Sequence, residues 1–161
     1  MGLGHPYRGD DNIGICAAEE FESWNQDPAV EVIVAQELLP ELAEVISQVD
    51  LLVFVDAKAG GVPGSVGVSE VTPADSRGGA FLHTLTMESL LSIAHTLFGR
   101  APMAILISVA SESFDFASHL SPEVEAALPI LIARLKEAVR SSGRFERNGQ
   151  NDFVAKGWSR L

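Results

Sequence analysis

The chain has 161 residues, 47% of them apolar, a formal net charge of −11 and a mean hydropathy of +0.19. That suits one domain with enough apolar material for a core, and the charge disfavours nucleic acid or an anionic membrane surface as partner. No apolar run reaches the ~18 residues of a membrane span, no basic and then apolar leader is seen, and the single Cys16 has no partner for an internal disulfide, so the expected location is the cytoplasm.

The chain opens on Gly2-Leu3-Gly4-His5-Pro6-Tyr7-Arg8-Gly9-Asp10-Asp11-Asn12-Ile13-Gly14, a turn-forming stretch that ends in two adjacent carboxylates. Glycine at 2, 4 and 9 opens backbone angles closed to other residues, and Pro6 fixes one φ. An amphipathic segment follows from about Asp10 to Trp24, with Ile13, Ala17 and Phe21 at helical spacing and Cys16 near the apolar side. The two aspartates are therefore expected at a helix N-terminus, Asp10 as its cap. Val30 to Val34 reads as a strand. Leu39 to Val49 reads as a helix with Leu39, Leu42, Ala43, Val45 and Ile46 inward.

Leu51-Leu52-Val53-Phe54-Val55 is a continuous apolar run, the pattern of a strand covered on both faces, and it is expected to end at Asp56. A turn-rich loop, Ala57 to Gly64, leads to a short edge strand marked by Val66, Val68 and Val71. Thr72 to Ala80 reads as loop. His83 is expected to open a helix whose apolar stripe is Met87, Leu90, Leu91, Ala94, Leu97 and Phe98, closed by Gly99. Met103 to Val109 is a second buried strand. Ser121-Pro122-Glu123 starts a helix that runs to about Arg140 through Pro129, with Val124, Leu128, Leu131, Leu135 and Val139 on one side. Residues 144–161 read as a loosely held tail after a single domain, 1–143. Alternating strands and helices predict a three-layer α/β fold, a twisted and mostly parallel sheet between helices.

In such a sheet, sites form beyond the carboxyl ends of the strands. Asp11, Asp56 and His83 fall at three such loop ends. Two carboxylates and an imidazole suit a divalent transition metal and leave coordination positions open for substrate. Each residue alone has a plainer reading, as a solvated first-turn acid, a loop-ordering acid and a structural histidine. His95 belongs to the polar side of its helix, His5 and His119 to loops, and Cys16 to the core. His-Glu-x-x-His and Gly-x-Ser-x-Gly are both absent.

The opening stretch resembles the signature of the hydrogenase maturation endopeptidases, roughly Gly-x-Gly-Asn-Pro-x-x-Arg-Gly-Asp-Asp/Glu-Gly-x-Gly. Val55-Asp56-Ala57 with Gly61-Val62-Pro63-Gly64 is similar to their Asp-Ala…Pro-Gly segment, His83-Thr84-Leu85 to their His-x-Leu, and Ser121-Pro122 with Pro129 to their last helix. The resemblance implies a phosphorylase/hydrolase-like sheet between helices. It implies a peptidase that removes the C-terminal peptide from the precursor of a nickel-iron hydrogenase large subunit. It also implies that Asp11, Asp56 and His83 bind nickel carried by that precursor. The peptide bond could then be attacked by a water that the metal polarises, with Asp10 as a helper, or nickel could act by position alone, and the chain is expected to be a monomer. His5 stands where the family has asparagine and Asn12 where it has glycine. The resemblance further implies an apolar strand ahead of Gly2 that the sequence, starting at Met1, lacks, so the first strand is expected to be truncated. Two rival readings use the same residues. One is a non-catalytic nickel- or partner-binding module. The other is a dinucleotide-binding domain built on Gly2, Gly4 and Glu37, although its third glycine is misplaced and Asp10 and Asp11 would repel a pyrophosphate.

Overall fold

A computed structural model describes residues 1–74 and 85–142. Its elements are β1 (Gly2–Leu3), a 3-10 turn (Gly9–Asn12), α1 (Ile13–Trp24), β2 (Val34–Ala35), α2 (Leu42–Ile46), β3 (Leu51–Ala59), β4 (Val66–Val71), α3 (Met87–Phe98), β5 (Met103–Ser111) and α4 (Pro122–Ser142). The strands form one sheet in the order β2-β1-β3-β5-β4, parallel throughout except for β4, which runs antiparallel at the edge.

The sheet's two faces divide the core. Val53, Val55 and Ala57 of β3 and Ile107 and Val109 of β5 pack with Ile13, Ala17 and Phe21 of α1 and Val124, Leu131 and Leu135 of α4. Leu52 and Phe54 of β3 and Ala104 and Leu106 of β5 pack with Ala43 and Ile46 of α2 and Leu90, Leu91 and Ala94 of α3. Period-2 alternation in β3 and β5 feeds both layers, which is why each strand reads as an unbroken apolar run. The three-layer α/β expectation is met. At the far end of α1, the Lys136 ammonium of α4 sits 4.1 Å from the Trp24 ring centroid.

Several expected boundaries move. The strand expected over Val30–Val34 is the two-residue β2, because its partner β1 is itself two residues long. The expected 39–49 helix shrinks to Leu42–Ile46, and Leu39 is exposed. Helix α3 starts at Met87, not His83. Thr86 caps it, its side chain accepting from the Ser89 N–H. Leu97 and Phe98, expected on its apolar stripe, face outward. Replacing Thr86 with alanine orphans that N–H, and chemical denaturation of Thr86→Ala is expected to show a loss of about 1 kcal/mol.

The first strand is short, as expected, yet it lies inside the sheet. Val55 N donates to Met1 O at 2.9 Å and Gly2 N to Ile33 O at 2.8 Å. Helix α1 crosses it closely at Gly14, where a Cβ would overlap the Leu3 and Val55 carbonyl oxygens. No helix among the described residues is long and apolar enough to cross a membrane.

Candidate active site

After Leu3 the chain leaves the sheet at Gly4, whose φ of 140° favours glycine and whose missing Cβ makes room for the Asp11 carbonyl oxygen. Strand β3 does not stop with β1. It continues beside β5, pairing Asp56 with Ser108 and finally Ala59 with Ser111. Asp56 was expected to end its strand. It lies within β3 instead, one residue past Val55, the strand's partner on β1. Nothing in Asp56-Ala57-Lys58-Ala59 breaks a strand, and the first turn residue is Gly60. Asp56 still occupies the rim that site geometry requires, because the neighbouring strand has turned away.

Asp56 is half-buried, and its Oδ1 accepts from the Ala57 N–H at 2.8 Å. Burial is the main force on its carboxyl, lifting the pKa from 3.8 to about 6. The Ala57 N–H opposes that rise and the negative charge of Asp11 adds to it. Asp11, also half-buried, comes from the 3-10 turn. The fold thus brings the two expected carboxylates within electrostatic reach of one another, with Asp56 in a place that penalises its ionisation. A cation would relieve both the burial and the repulsion. His83 lies outside the described residues. Among those described, no group of three or more His, Cys, Asp or Glu side chains is arranged to hold a metal ion.

Asp10 does not take its expected place as a helix cap. Its own helix begins at Ile13, after the 3-10 turn. It is 1% exposed. Its Oδ1 accepts from the Ser121 N–H at 2.7 Å and its Oδ2 from the Ser121 hydroxyl at 3.0 Å. The carboxylate fastens the turn that carries Asp11 to the N-terminus of α4, with one bond to each of its oxygens. Ser121 was read as a cap for its own helix, but its hydroxyl donates to Asp10. Nothing local in the sequence pairs residues 111 positions apart.

The remaining candidates are peripheral. His5 accepts from the Tyr7 N–H through Nδ1 at 3.3 Å and meets the Tyr7 ring edge-on, centroids 6.0 Å apart. His95 and His119 are exposed, as expected. Cys16 is half-buried, not core. Its sulfur accepts from Asn12 Nδ2 at 3.3 Å, and burial and then Glu19 push its thiol pKa up, which keeps it protonated and a poor nucleophile. The Asn12 Oδ1 is buried without a partner among the described residues.

The domain is a mostly parallel α/β sheet between helices, with two acids at the carboxyl rim of its strands. The family model described as HycI, hydrogenase maturation protease, matches residues 15–138. The chain belongs to the hydrogenase maturation protease family and is a peptidase. The structure of the hydrogenase maturating endopeptidase HybD from Escherichia coli superposes with a TM-score of 0.74 at 25% identity, covering 88% of this chain and 91% of that one. A solution structure of an endopeptidase from Escherichia coli matches at 0.70 and 25%, over 88% and 91%. The [NiFe] hydrogenase maturation protease HycI from Thermococcus kodakarensis KOD1 shares the fold at 0.68 and 24%, over 86% and 89%. No curated protein sequence matches the chain significantly. The dinucleotide-binding alternative gives way to this family assignment.

Proposed function

We propose that this peptidase matures a nickel-iron hydrogenase by removing the C-terminal peptide of the large-subunit precursor once nickel has been inserted. Water adds across one peptide C–N bond, leaving a carboxyl group on the mature subunit and a free amine on the released peptide. Asp11 and Asp56, with His83, recognise the nickel as part of the substrate. The observation that carries the reading is the shared site of Asp11 and Asp56. Burial and mutual repulsion hold Asp56 up to about 6, so at neutral pH the pair carries a charge that only a cation offsets. A precursor that presents nickel supplies that cation, and an empty precursor does not. In this reading cleavage is a checkpoint on metal insertion.

The test is a cleavage assay with a matched precursor, loaded with nickel or metal-free, the product read by mass. Nickel-dependent loss of a C-terminal peptide is expected, with a rate at least ~100-fold lower in His83→Ala. Nickel-dependent binding without cleavage would favour the binding-module reading. Equal cleavage of both precursors would remove nickel from the account.

A further inference from the structure

Two loops meet beside the acidic site, the one after β1 and the one after β5. Ala117 N donates to Tyr7 O at 3.2 Å, Gly9 N to Ala117 O at 3.0 Å, and Arg8 Nε to Phe114 O at 3.4 Å. These bonds form a parallel bridge between Arg8 and Ala117, which makes Tyr7 and Phe116 lateral neighbours, one on each loop. Both rings face solvent. Tyr7 is 64% exposed and Phe116 88%. An aromatic side chain left in water forgoes the burial that would stabilise it, and here two do so side by side on backbone pinned by hydrogen bonds. His5, one of the residues that depart from the family pattern, meets the Tyr7 ring edge-on. Asp115 directly precedes Phe116 and Glu112 lies four residues before it, both exposed, and Asp11 stands two residues past Gly9. In these two loops Arg8 is the only lysine or arginine.

We infer that Tyr7 and Phe116 form a docking lip for the precursor, seating an apolar side chain that is flanked by basic residues near the segment to be cut. The inference rests on the proposed function and adds where the substrate is gripped. The aromatic pair provides the apolar anchor, as rigid rings do at interface centres. The surrounding carboxylates and the net charge of −11 select a partner of opposite sign and speed its approach. The lip lies where β1 and β5 deliver their loops, at the same end of the sheet as Asp56, so a polypeptide held there reaches the site.

The experiment measures precursor binding, cleavage and sedimentation for the wild type, for the Tyr7→Ser/Phe116→Ser double variant and for a Glu112→Lys/Asp115→Lys variant. All substituted side chains are exposed, and circular dichroism checks folding. For the aromatic variant the expected result is a KM and Kd raised about tenfold with kcat within about twofold. For the charge variant a similar rise is expected, with the wild type's weakening in salt lost. Unchanged KM and Kd in the aromatic variant, with the wild type cleaving normally, would overturn the lip and leave the function intact. A wild type that binds without cleaving, and loses binding in the aromatic variant, would keep the lip and sink the peptidase reading of this client. A wild-type dimer that the aromatic substitutions dissociate would make the lip a self-association surface and overturn the inference, as would a wild type that neither binds nor cleaves.

Discussion

Asp56→Asn is expected to yield a more stable protein with no measurable peptidase activity. In the native state the carboxyl of Asp56 titrates at about 6, against 3.8 for the ordinary group. A raised carboxyl pKa means that the folded state holds its proton more tightly than the unfolded chain. The resulting contribution to stability is full below pH 3.8 and is lost as pH rises through 6. Above pH 6 the native protein carries a half-buried charge that the unfolded chain does not have to bury. Asparagine stays neutral, and its Oδ1 can still accept the Ala57 N–H, so the substitution removes the penalty and keeps the bond. The expected gain in the metal-free protein is on the order of 2 kcal/mol at pH 7 to 8, fading towards zero below pH 4. Urea unfolding of both proteins across that range would measure it. A gain that did not vary with pH would mean that Asp56 is ionised at no cost, and the description of its surroundings would be wrong. The loss of cleavage, at least ~1000-fold, follows from removing one of the two charges proposed to meet the metal. Greater stability in exchange for lost activity is the pattern of a site held under electrostatic strain for its function.

What made Asp56 findable from sequence was its position after five apolar residues. What the sequence hid was the strand's continuation. The expected end at Asp56 took all of Ala57 to Gly64 as a turn-rich loop, whereas β5 offers β3 a ladder up to Ser111 and the chain takes it. The same contrast runs through the fold. Strands β3 and β5 and helix α4 were legible because their apolar residues reflect two packed faces of a sheet or one buried helix side, and local pattern records burial. Strand β2 and helix α2 were overdrawn because their lengths depend on how much β1 offers to pair with and how much of the sheet remains to cover. The carboxylate pair was legible as residue types at loop ends. The partners that organise it, Ser121 for Asp10 and the 113–117 loop for the first turn, are more than a hundred residues away and leave no local trace. His83 remains an expectation outside the described residues.

The second large effect belongs to Asp10. Asp10→Ala is expected to lose about 3 kcal/mol of stability and to lower activity further than that loss alone explains. At 1% exposure the carboxylate has given up its water, and the two Ser121 bonds replace it. Removing it leaves the Ser121 N–H without its acceptor and takes a negative charge from the N-terminus of α4, where the unpaired amides favour one. In thermal unfolding that is a fall of about 6 to 12 °C for a chain of this size. Asp10→Asn keeps an acceptor for the N–H and is expected to lose about half as much. The effect on activity follows from connectivity. Asp10 fastens the turn whose next residue is Asp11, so a loosened turn lets Asp11 drift from Asp56. The carboxyl of Asp56 should then fall only slightly, because burial, the main cause of its raised value, stays and only the smaller push of Asp11 is lost, and the pH-dependent difference between Asp56→Asn and its parent should shrink by a correspondingly small amount in an Asp10→Asn background. Two outcomes would contradict this positioning role. One is an Asp10→Asn protein that is fully stable but inactive, which would give Asp10 a direct part in the chemistry. The other is an Asp10→Ala protein as stable and active as the wild type, which would mean that Ser121 and the first turn are held by something else.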